Sequence, residues 1–552
     1  MNPLLHSKRR LVKAASGMLF LSLILFLSQQ TKTEKVLLTK VQPTAVCNHT
    51  HEMARQAAQE KIIQSIDAGL EARFSNHETS NFIAMCWQEG TDPSVIEAQR
   101  RIINSNLPTS LTNFDGSNGL NGTRFQDSGN RWFYNANRAD GTLYASGDCV
   151  PMTWSIVPDG TSIDGPTIGA GEPTSPSRFV AHMDGLFGCT GGADLTSRCW
   201  FPIVASIYDD WSAKTGIMFM YEPNDDGAPY QDTPPFLFDG VLGVRGDMRI
   251  AGHVIDGPGG ILAYNFFPGP FNNGGADGGG PFFGFVQGGD MVVDCDDIFY
   301  SVGSAFNPAF SEPDANNWRR LRNVLAHEVG HGLGLAHTCP TTGGSKLMEP
   351  FASLNPQFDG PQEDDFLGTN RIYGDRNCGS DPIPFPKQND VEKTIECVSI
   401  HNNTDEDVYT FVVADINCTV DIVVEPTGTT YLEGPQNADG SCSAGVPFDA
   451  GSQGDLLVEV VDPKGNIVTT TNATGLGQSE VVTGLQLPVK GTYEIRVRNS
   501  GQDAVQMYNI SCTASSCVIP TMSEWGLMIF GLLVMNLGVV FLYRRETIII
   551  AE

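Results

Sequence analysis

The most constraining stretch of this sequence is His327-Glu328-Val329-Gly330-His331-Gly332-Leu333-Gly334-Leu335-Ala336-His337, preceded by Asn317-Trp318-Arg319-Arg320-Leu321-Arg322-Asn323-Val324-Leu325-Ala326. Trp318, Leu321, Val324 or Leu325, and Val329 recur at helical spacing, so a helix runs through the first two histidines. Residues four apart project from one helix face, which lets His327 and His331 grip a single ion. Gly334 falls where the helix must stop and the chain turn back, because a left-handed terminal residue is sterically cheap only for glycine. That turn returns His337 as a third nitrogen donor. Three neutral imidazoles leave the fourth position of a Zn²⁺ ion open, which is the catalytic rather than the structural coordination pattern. Glu328, next to the first donor, points to the same cleft and is placed to take a proton from an attacking water.

The HExxHxxGxxH spacing, completed by Lys346-Leu347-Met348-Glu349-Pro350 as a Met-turn with Met348 as the apolar floor of the site, resembles the metzincins. Within them the resemblance is closest to the matrixins. It is carried by Ala205 to Thr215 as a first helix and Ile217 to Tyr221 as a strand. Gly246 to Ala251 adds a second strand, Asp256 to Ala263 with Phe267-Pro268 and Gly288 to Asp297 are loops, and Glu363 to Gly374 is a closing helix; Thr338 stands where serine is usual. The resemblance implies an α+β metzincin catalytic domain, a mixed twisted sheet with an active-site helix. It also implies a zinc endopeptidase in which Glu328 is the general base and peptide substrates extend along an exposed sheet edge above the helix. The family's structural-zinc histidines fall at Tyr264 and Val292, and His253 is out of step, so a second zinc is not expected. Asp256, Asp294 and Asp297, with backbone oxygens of Gly257, Gly259 and Ile261, form an expected Ca²⁺ set of six oxygens.

The rest of the 552 residues divides around this centre. Residues 1–33 read as a secretory signal: Lys8, Arg9, Arg10 and Lys13 precede the apolar run Met18 to Leu27. Residues 34–127 read as a polar pro-region or accessory segment with a helix around Glu52 to Phe74. Residues 128–380 form the catalytic domain, 381–389 a Pro-rich linker, and 390–515 an all-β sandwich, since period-two runs alternate there with turns such as Asp462-Pro463-Lys464-Gly465-Asn466. Residues 525–543 are apolar enough for a transmembrane helix, closed by Arg544 and Arg545. The sandwich resembles the bacterial pre-peptidase C-terminal domain through Asp407 to Phe411, Gly454 to Leu456 and Gly491 to Val497. Residues 516–552, with Ile519, Pro520, Thr521, Trp525 and Gly526, resemble IPTL-type sorting signals of Gram-negative bacteria, with Met522 where leucine is usual. This implies export, initial anchoring in the inner membrane, and transfer to the envelope or beyond by a membrane sorting enzyme of the exosortase type.

A formal charge of -29 and a pI near 4.6 exclude nucleic acid as the main partner, because such a surface repels phosphate. Thirteen cysteines without a CxxC fit disulfides in an oxidising compartment. Cys189–Cys199 and Cys339–Cys378 are the pairings suggested by spacing, and Cys397, Cys418, Cys442 and Cys512 are expected to staple the sandwich. No PRCGxPD-like segment, by which matrixin propeptides block zinc, is present; Cys47 and Cys86 are expected in structural disulfides, the alternative being that one of them plays the zinc-blocking part. The chain is expected to act as a monomer on protein or peptide substrates. The alternative is a surface adhesion or binding protein with a catalytically silent metzincin-like domain.

Overall fold

The computed structural model describes residues 83–91, 131–132, 135–137, 144–163, 172–189, 191–229, 240–268, 288–300, 319–339, 345–354, 356–377, 383–385, 393–413, 419–434, 442, 445–472, 475–501 and 503–515. The secretory signal, the helix expected around Glu52 to Phe74, and the sorting motif with its 525–543 stretch lie outside the described residues. Among the described residues no helix is long and apolar enough to cross a membrane.

The first half is built on β1 (Ile83–Gln88), β2 (Val150–Ile156), β3 (Ser162–Ile163), β4 (Ser175–Pro176), β5 (Ile217–Tyr221), β6 (Met248–His253), β7 (Ile261–Phe266), β8 (Met291–Asp294) and β9 (Phe351–Ala352). Seven of them make one mixed sheet in the order β5-β2-β6-β8-β7-β1-β9. β5, β2, β6 and β8 run parallel, and β7 reverses against β8. β6, β7 and β8 are buried along their whole length because both faces are covered, and the polar residues they carry, Arg249, His253, Asn265 and Asp294, are buried with hydrogen-bond partners. One face carries helices α1 (Phe179–Phe187), α2 (Phe201–Lys214) and α3 (Arg319–Gly332), whose Phe179, Val204, Ile207, Trp211, Val324 and Val329 join Val150, Met152 and Val293 in the main core. The other face holds a smaller cluster in which Met85, Trp87, Ile163, Ile255, Tyr264 and Val292 meet. Cys189 and Cys199 are disulfide-bonded as their spacing suggested, closing the loop between α1 and α2.

β1 departs from the expected organisation. It lies in the segment read as a pro-region, yet it is a full member of the sheet, antiparallel to β7 over Ile83–Phe266 to Trp87–Ile261 and parallel to β9 at Trp87–Phe351 and Gln88–Ala352. A six-residue run paired between β7 and β9 leaves no periodic signature, so only its apolar character within a polar region marks it in the sequence.

After helix α4 (Glu363–Tyr373), whose first turn is closed by a capping box between Gln362 and Asp365, the chain forms the sandwich. Its strands are β10 (Ile383–Pro384), β11 (Lys393–Ile400), β12 (Glu406–Val413), β13 (Thr419–Pro426), β14 (Thr430–Glu433), β15 (Val446–Asp449), β16 (Leu456–Val461), β17 (Ile467–Thr471), β18 (Glu480–Gln486), β19 (Gly491–Asn499) and β20 (Gln506–Ser515). Sheets β10-β12-β19-β16-β17 and β11-β20-β13-β18 enclose Val398, Tyr409, Ile422, Val458, Ile495 and Ile510. The alternation in β19, buried and half-exposed in turn from Tyr493 to Asn499, places Tyr493, Ile495 and Val497 inward. Ile383–Pro384, expected within the linker, instead pairs with β12 as an edge strand.

The two halves are joined more intimately than a linker implies. Cys339 is bonded to Cys442, not to Cys378, and the expectation that Cys442 staples the sandwich internally fails with it. The cause is the β14–β15 hairpin, which leaves the sandwich and brings its connecting loop against the chain following His337, where Cys339 also donates its N–H to Gly434 O at 2.6 Å. Phe366 and Leu367 of α4 pack with Phe448, Ala450, Val505 and Met507 of the sandwich. Cys397 and Cys512, also expected as staples, are free thiols on β11 and β20.

Candidate catalytic centre

Helix α3 is buried from Leu321 to Gly332, so every side chain on it must meet the core or a partner. Its close approach to the Met-turn requires glycine: a Cβ on Gly330 would lie 2.6 Å from Met348 Sδ and 3.4 Å from Trp211. Met348 is buried in the main core directly beneath this helix. At the helix end, Gly334 takes φ +99° and Leu335 donates its N–H to Gly330 O at 2.9 Å. The last carbonyls are taken up by side chains: Trp132 Nε1 donates to Gly332 O at 2.7 Å and Tyr373 OH to Leu333 O at 2.9 Å. The turn that returns His337 is therefore held from both sides.

The three histidines converge. His331 Nε2 lies 2.8 Å from His327 Nε2 and 3.1 Å from His337 Nε2. His327 Nδ1 contacts Leu347 O and His331 Nδ1 contacts Leu335 O, each at 2.7 Å. A carbonyl oxygen only accepts, so both Nδ1 atoms carry the proton and both Nε2 atoms turn lone pairs towards one point. Burial pushes His327 down to about 4 and His331 well below the usual imidazole range, the latter also through its two neighbours. Neutral imidazoles facing one another repel unless a cation lies between them, so this donor set fits Zn²⁺. The edge of Phe267 packs against His331 at 5.4 Å between ring centres.

Glu328 is fully buried and neither carboxylate oxygen has a hydrogen-bond partner among the described residues. Burial alone raises its carboxyl well above the usual range. An orphaned buried carboxylate beside three converging lone pairs is an arrangement that packing has no reason to keep.

Ligand-spaced clusters among the described residues occur only here: one is His327, His331 and His337, and the other is Cys86, His327 and Glu328. Cys86 is thus not in a disulfide as expected; it is a free, buried thiol on β1, raised by burial and by Glu328. β1 sits along the sheet edge expected for substrate. Trp87 N–H donates to Pro350 O at 3.0 Å, Gln88 N–H to Gly260 O at 2.9 Å and Glu89 N–H to Ala352 O at 3.0 Å. Both walls of the cleft are therefore hydrogen-bonded to residues 87–89. The apolar run Ile83 to Trp87 in a polar region was the one signal that could have flagged it.

The calcium candidates are adjacent but turned to the backbone. Asp294 Oδ2 accepts from Ile255, Asp256 and Gly257 N–H at 3.0–3.3 Å, Asp297 Oδ1 from Gly259 N–H at 2.9 Å, and Asp256 from Ile261 N–H. The three carboxylates do not gather at ligand spacing. Asp297 Oδ2 is left buried without a partner, and burial pushes Asp297 up to about 7. At the positions where the resemblance places structural-zinc histidines, Tyr264 OH donates to Glu172 at 2.9 Å and Val292 is core. His253 Nε2 lies 2.8 Å from the same Glu172 oxygen, so a buried hydrogen-bonded network fills this side of the sheet.

Residues 243–374 match the matrixin family model. Matrix metalloproteinase-27 of Homo sapiens is 35% identical over 120 residues, 22% of this chain and 17% of that protein. Matrix metalloproteinase-2 of Drosophila melanogaster is 30% identical over 123 residues, 22% and 13% respectively, and the interstitial collagenase of Equus caballus 34% over 142 residues, 25% and 23%. The chain thus spans less than a quarter of the length of these relatives. Among solved structures, Aeromonas hydrophila PliG, a periplasmic lysozyme inhibitor, aligns with 24% of this chain and 96% of its own at 11% identity and a TM-score of 0.16. Residues 243–374 are thus similar to the matrixin metalloproteases.

Proposed function

We propose that this chain is an exported zinc-dependent endopeptidase in which His327, His331 and His337 hold the metal and Glu328 is the general base. The observation that carries the reading is the convergence of imidazole nitrogens beside a buried carboxylate with no other partner. Zinc held there supplies Lewis acidity, polarising the scissile carbonyl and making water acidic enough to attack near neutral pH. Glu328 accepts the proton of the attacking water and delivers it to the leaving amine, and its dry surroundings raise its basicity for that task. Met348 holds the floor of the site. The cleft is occupied by β1, so the described form is a latent one and hydrolysis follows displacement of residues 83–91.

Asp256, Asp294 and Asp297 as arranged do not gather around one ion, so Ca²⁺ at this loop is supported by the resemblance and by the orphaned Asp297 oxygen alone, which a bound cation would relieve. Export through residues 1–33, sorting by an exosortase-type enzyme through the 516–552 tail, and anchoring by 525–543 are supported by the sequence of those segments. Because the relatives include matrix metalloproteinases and a collagenase, gelatin and casein are the first substrates to try.

The test is Glu328→Ala in the full chain. The variant folds, retains one zinc by elemental analysis, and loses chelator-sensitive hydrolysis by at least about 100-fold, the scale of general-base catalysis. Substantial residual cleavage would remove Glu328 from its role. Zinc binding without cleavage of any protein, in the intact or the processed chain, would favour the adhesion reading.

A further inference from the structure

Beside His327 a narrow cavity runs from Cys86 of β1 towards Phe299, Arg320, Lys346 and Phe358, and none of its lining residues is acidic. In a chain of charge -29 that composition is unexpected. Lys346 is already neutralised: its Nζ lies 2.9 Å from Asp364 Oδ1 and 3.9 Å above the Tyr431 ring. Arg320 is not. Its Nε donates to Leu354 O at 2.9 Å and its guanidinium stands over Phe299 at 5.3 Å, while Nη2 is buried with no partner among the described residues. Burial lowers its proton affinity and no carboxylate offsets that effect. The guanidinium is only partly buried, but its Nη2 is shut from water without a partner, and an acidic side chain entering the cavity would supply one.

The register of β1 says which residue enters. Along β1 the chain runs from Ile83, paired with Phe266 next to the Phe267 ring that touches His331, to Trp87 and Gln88, paired with Phe351 and Ala352 at the cavity wall. Cys86 stands where site and cavity meet: its thiol lies at ligand spacing from His327 and Glu328, and it lines the cavity together with His327, while the next residue, Trp87, has its ring 6.4 Å from that of His337. A peptide bound with this polarity presents its scissile carbonyl just before the residue whose side chain occupies the cavity. We propose that Arg320 makes the cleft select substrates with aspartate or glutamate immediately after the scissile bond. This rests on the endopeptidase reading above and adds the substrate class to it.

Two measurements on the zinc-loaded full chain test the proposal. Peptides differing only in the residue after the cut are compared on the casein-cleaving form; glutamate should exceed leucine at least about tenfold in kcat/KM, Arg320→Lys should keep the preference and Arg320→Gln abolish it. A leucine preference, or a glutamate preference that survives Arg320→Gln, overturns the proposal. The second measurement needs no catalysis: hydrogen exchange of residues 83–91 is compared in Cys86→Glu and Cys86→Gln, each with and without Arg320→Gln. Glutamate at this position should slow exchange several-fold relative to glutamine, and the difference should vanish without Arg320. Equal exchange in all four chains overturns the pairing. Coupling in the exchange cycle with no peptide cleaved at all instead overturns the endopeptidase reading on which the substrate class depends.

Discussion

His327, Glu328, His331 and His337 were legible because their geometry is local: a helix, one glycine turn and a return fix all four within eleven positions of sequence. What holds them was not. Gly330 reads as one more glycine of the motif, yet its role is to admit Met348 from a turn that follows the third histidine. Gly330→Ala would place a methyl group 2.6 Å from Met348 Sδ. The expected result is a loss of about 1–3 kcal/mol, the range for overpacking a filled core, read as a lower denaturant midpoint together with weaker zinc retention against a chelator. Unchanged zinc retention at lowered stability would separate the floor of the site from its metal. Arg320 and Cys86 were invisible for the opposite reason: each is ordinary in sequence, and only the meeting of strand and helix gives either a neighbour that matters.

Strands and helices of the catalytic half could be read where an apolar pattern is continuous, as in β5, which leaves Met218 and Met220 exposed; α4, buried from Asp364 to Tyr373, was as legible, and the expected and observed bounds of both nearly coincide. β1 escaped because its stability comes from pairing at two edges rather than from its own pattern. Trp87 is its anchor, buried among Ile261, Tyr264 and Val292. Trp87→Ala should cost about 3–5 kcal/mol of that docking, so exchange of residues 83–91 accelerates and casein hydrolysis rises several-fold in the same preparation. Faster exchange with no gain in activity would mean that β1 does not govern access. The loop before β7 makes a separate element. Its buried, unpaired Asp297 oxygen predicts that Ca²⁺ raises the thermal midpoint by several degrees and that Asp297→Asn loses this response. An equal Ca²⁺ response in both chains would move the ion elsewhere.

Between the halves lies a group of buried acids that no alternation or motif announced. Asp375 accepts N–H groups from Ser399 and Asn377 at 2.5 and 2.8 Å, and Asp407 accepts Tyr508 OH at 2.5 Å, itself 2.8 Å from Tyr409 OH. Burial pushes Asp375 up to about 6; burial, with Asp375 and Asp405 nearby, pushes Asp407 well above the carboxylate range. A folded-state pKa above the unfolded value of about 3.9 means that the native chain binds the extra proton, so this stabilisation is complete below pH 4 and is lost as pH rises through 6 and beyond. The thermal midpoint should therefore fall between pH 5 and 8, and Asp407→Asn, which can still accept the Tyr508 hydroxyl, should flatten that slope. An identical slope in the variant would place the proton elsewhere. The whole-molecule arrangement was the least legible level, because Cys339 and Cys442 are 103 positions apart and their pairing depends on a hairpin whose destination is tertiary. That bond also changes what cutting the chain can accomplish. Residues 339 to 442 form a closed covalent ring that contains α4, β10 and the chain connecting the halves. A single backbone cut anywhere in that ring leaves one molecule of unchanged covalent membership, with the third histidine just outside the closure. Shedding the sandwich takes a second event, reduction, and until it occurs the catalytic half carries its companion wherever it is sent.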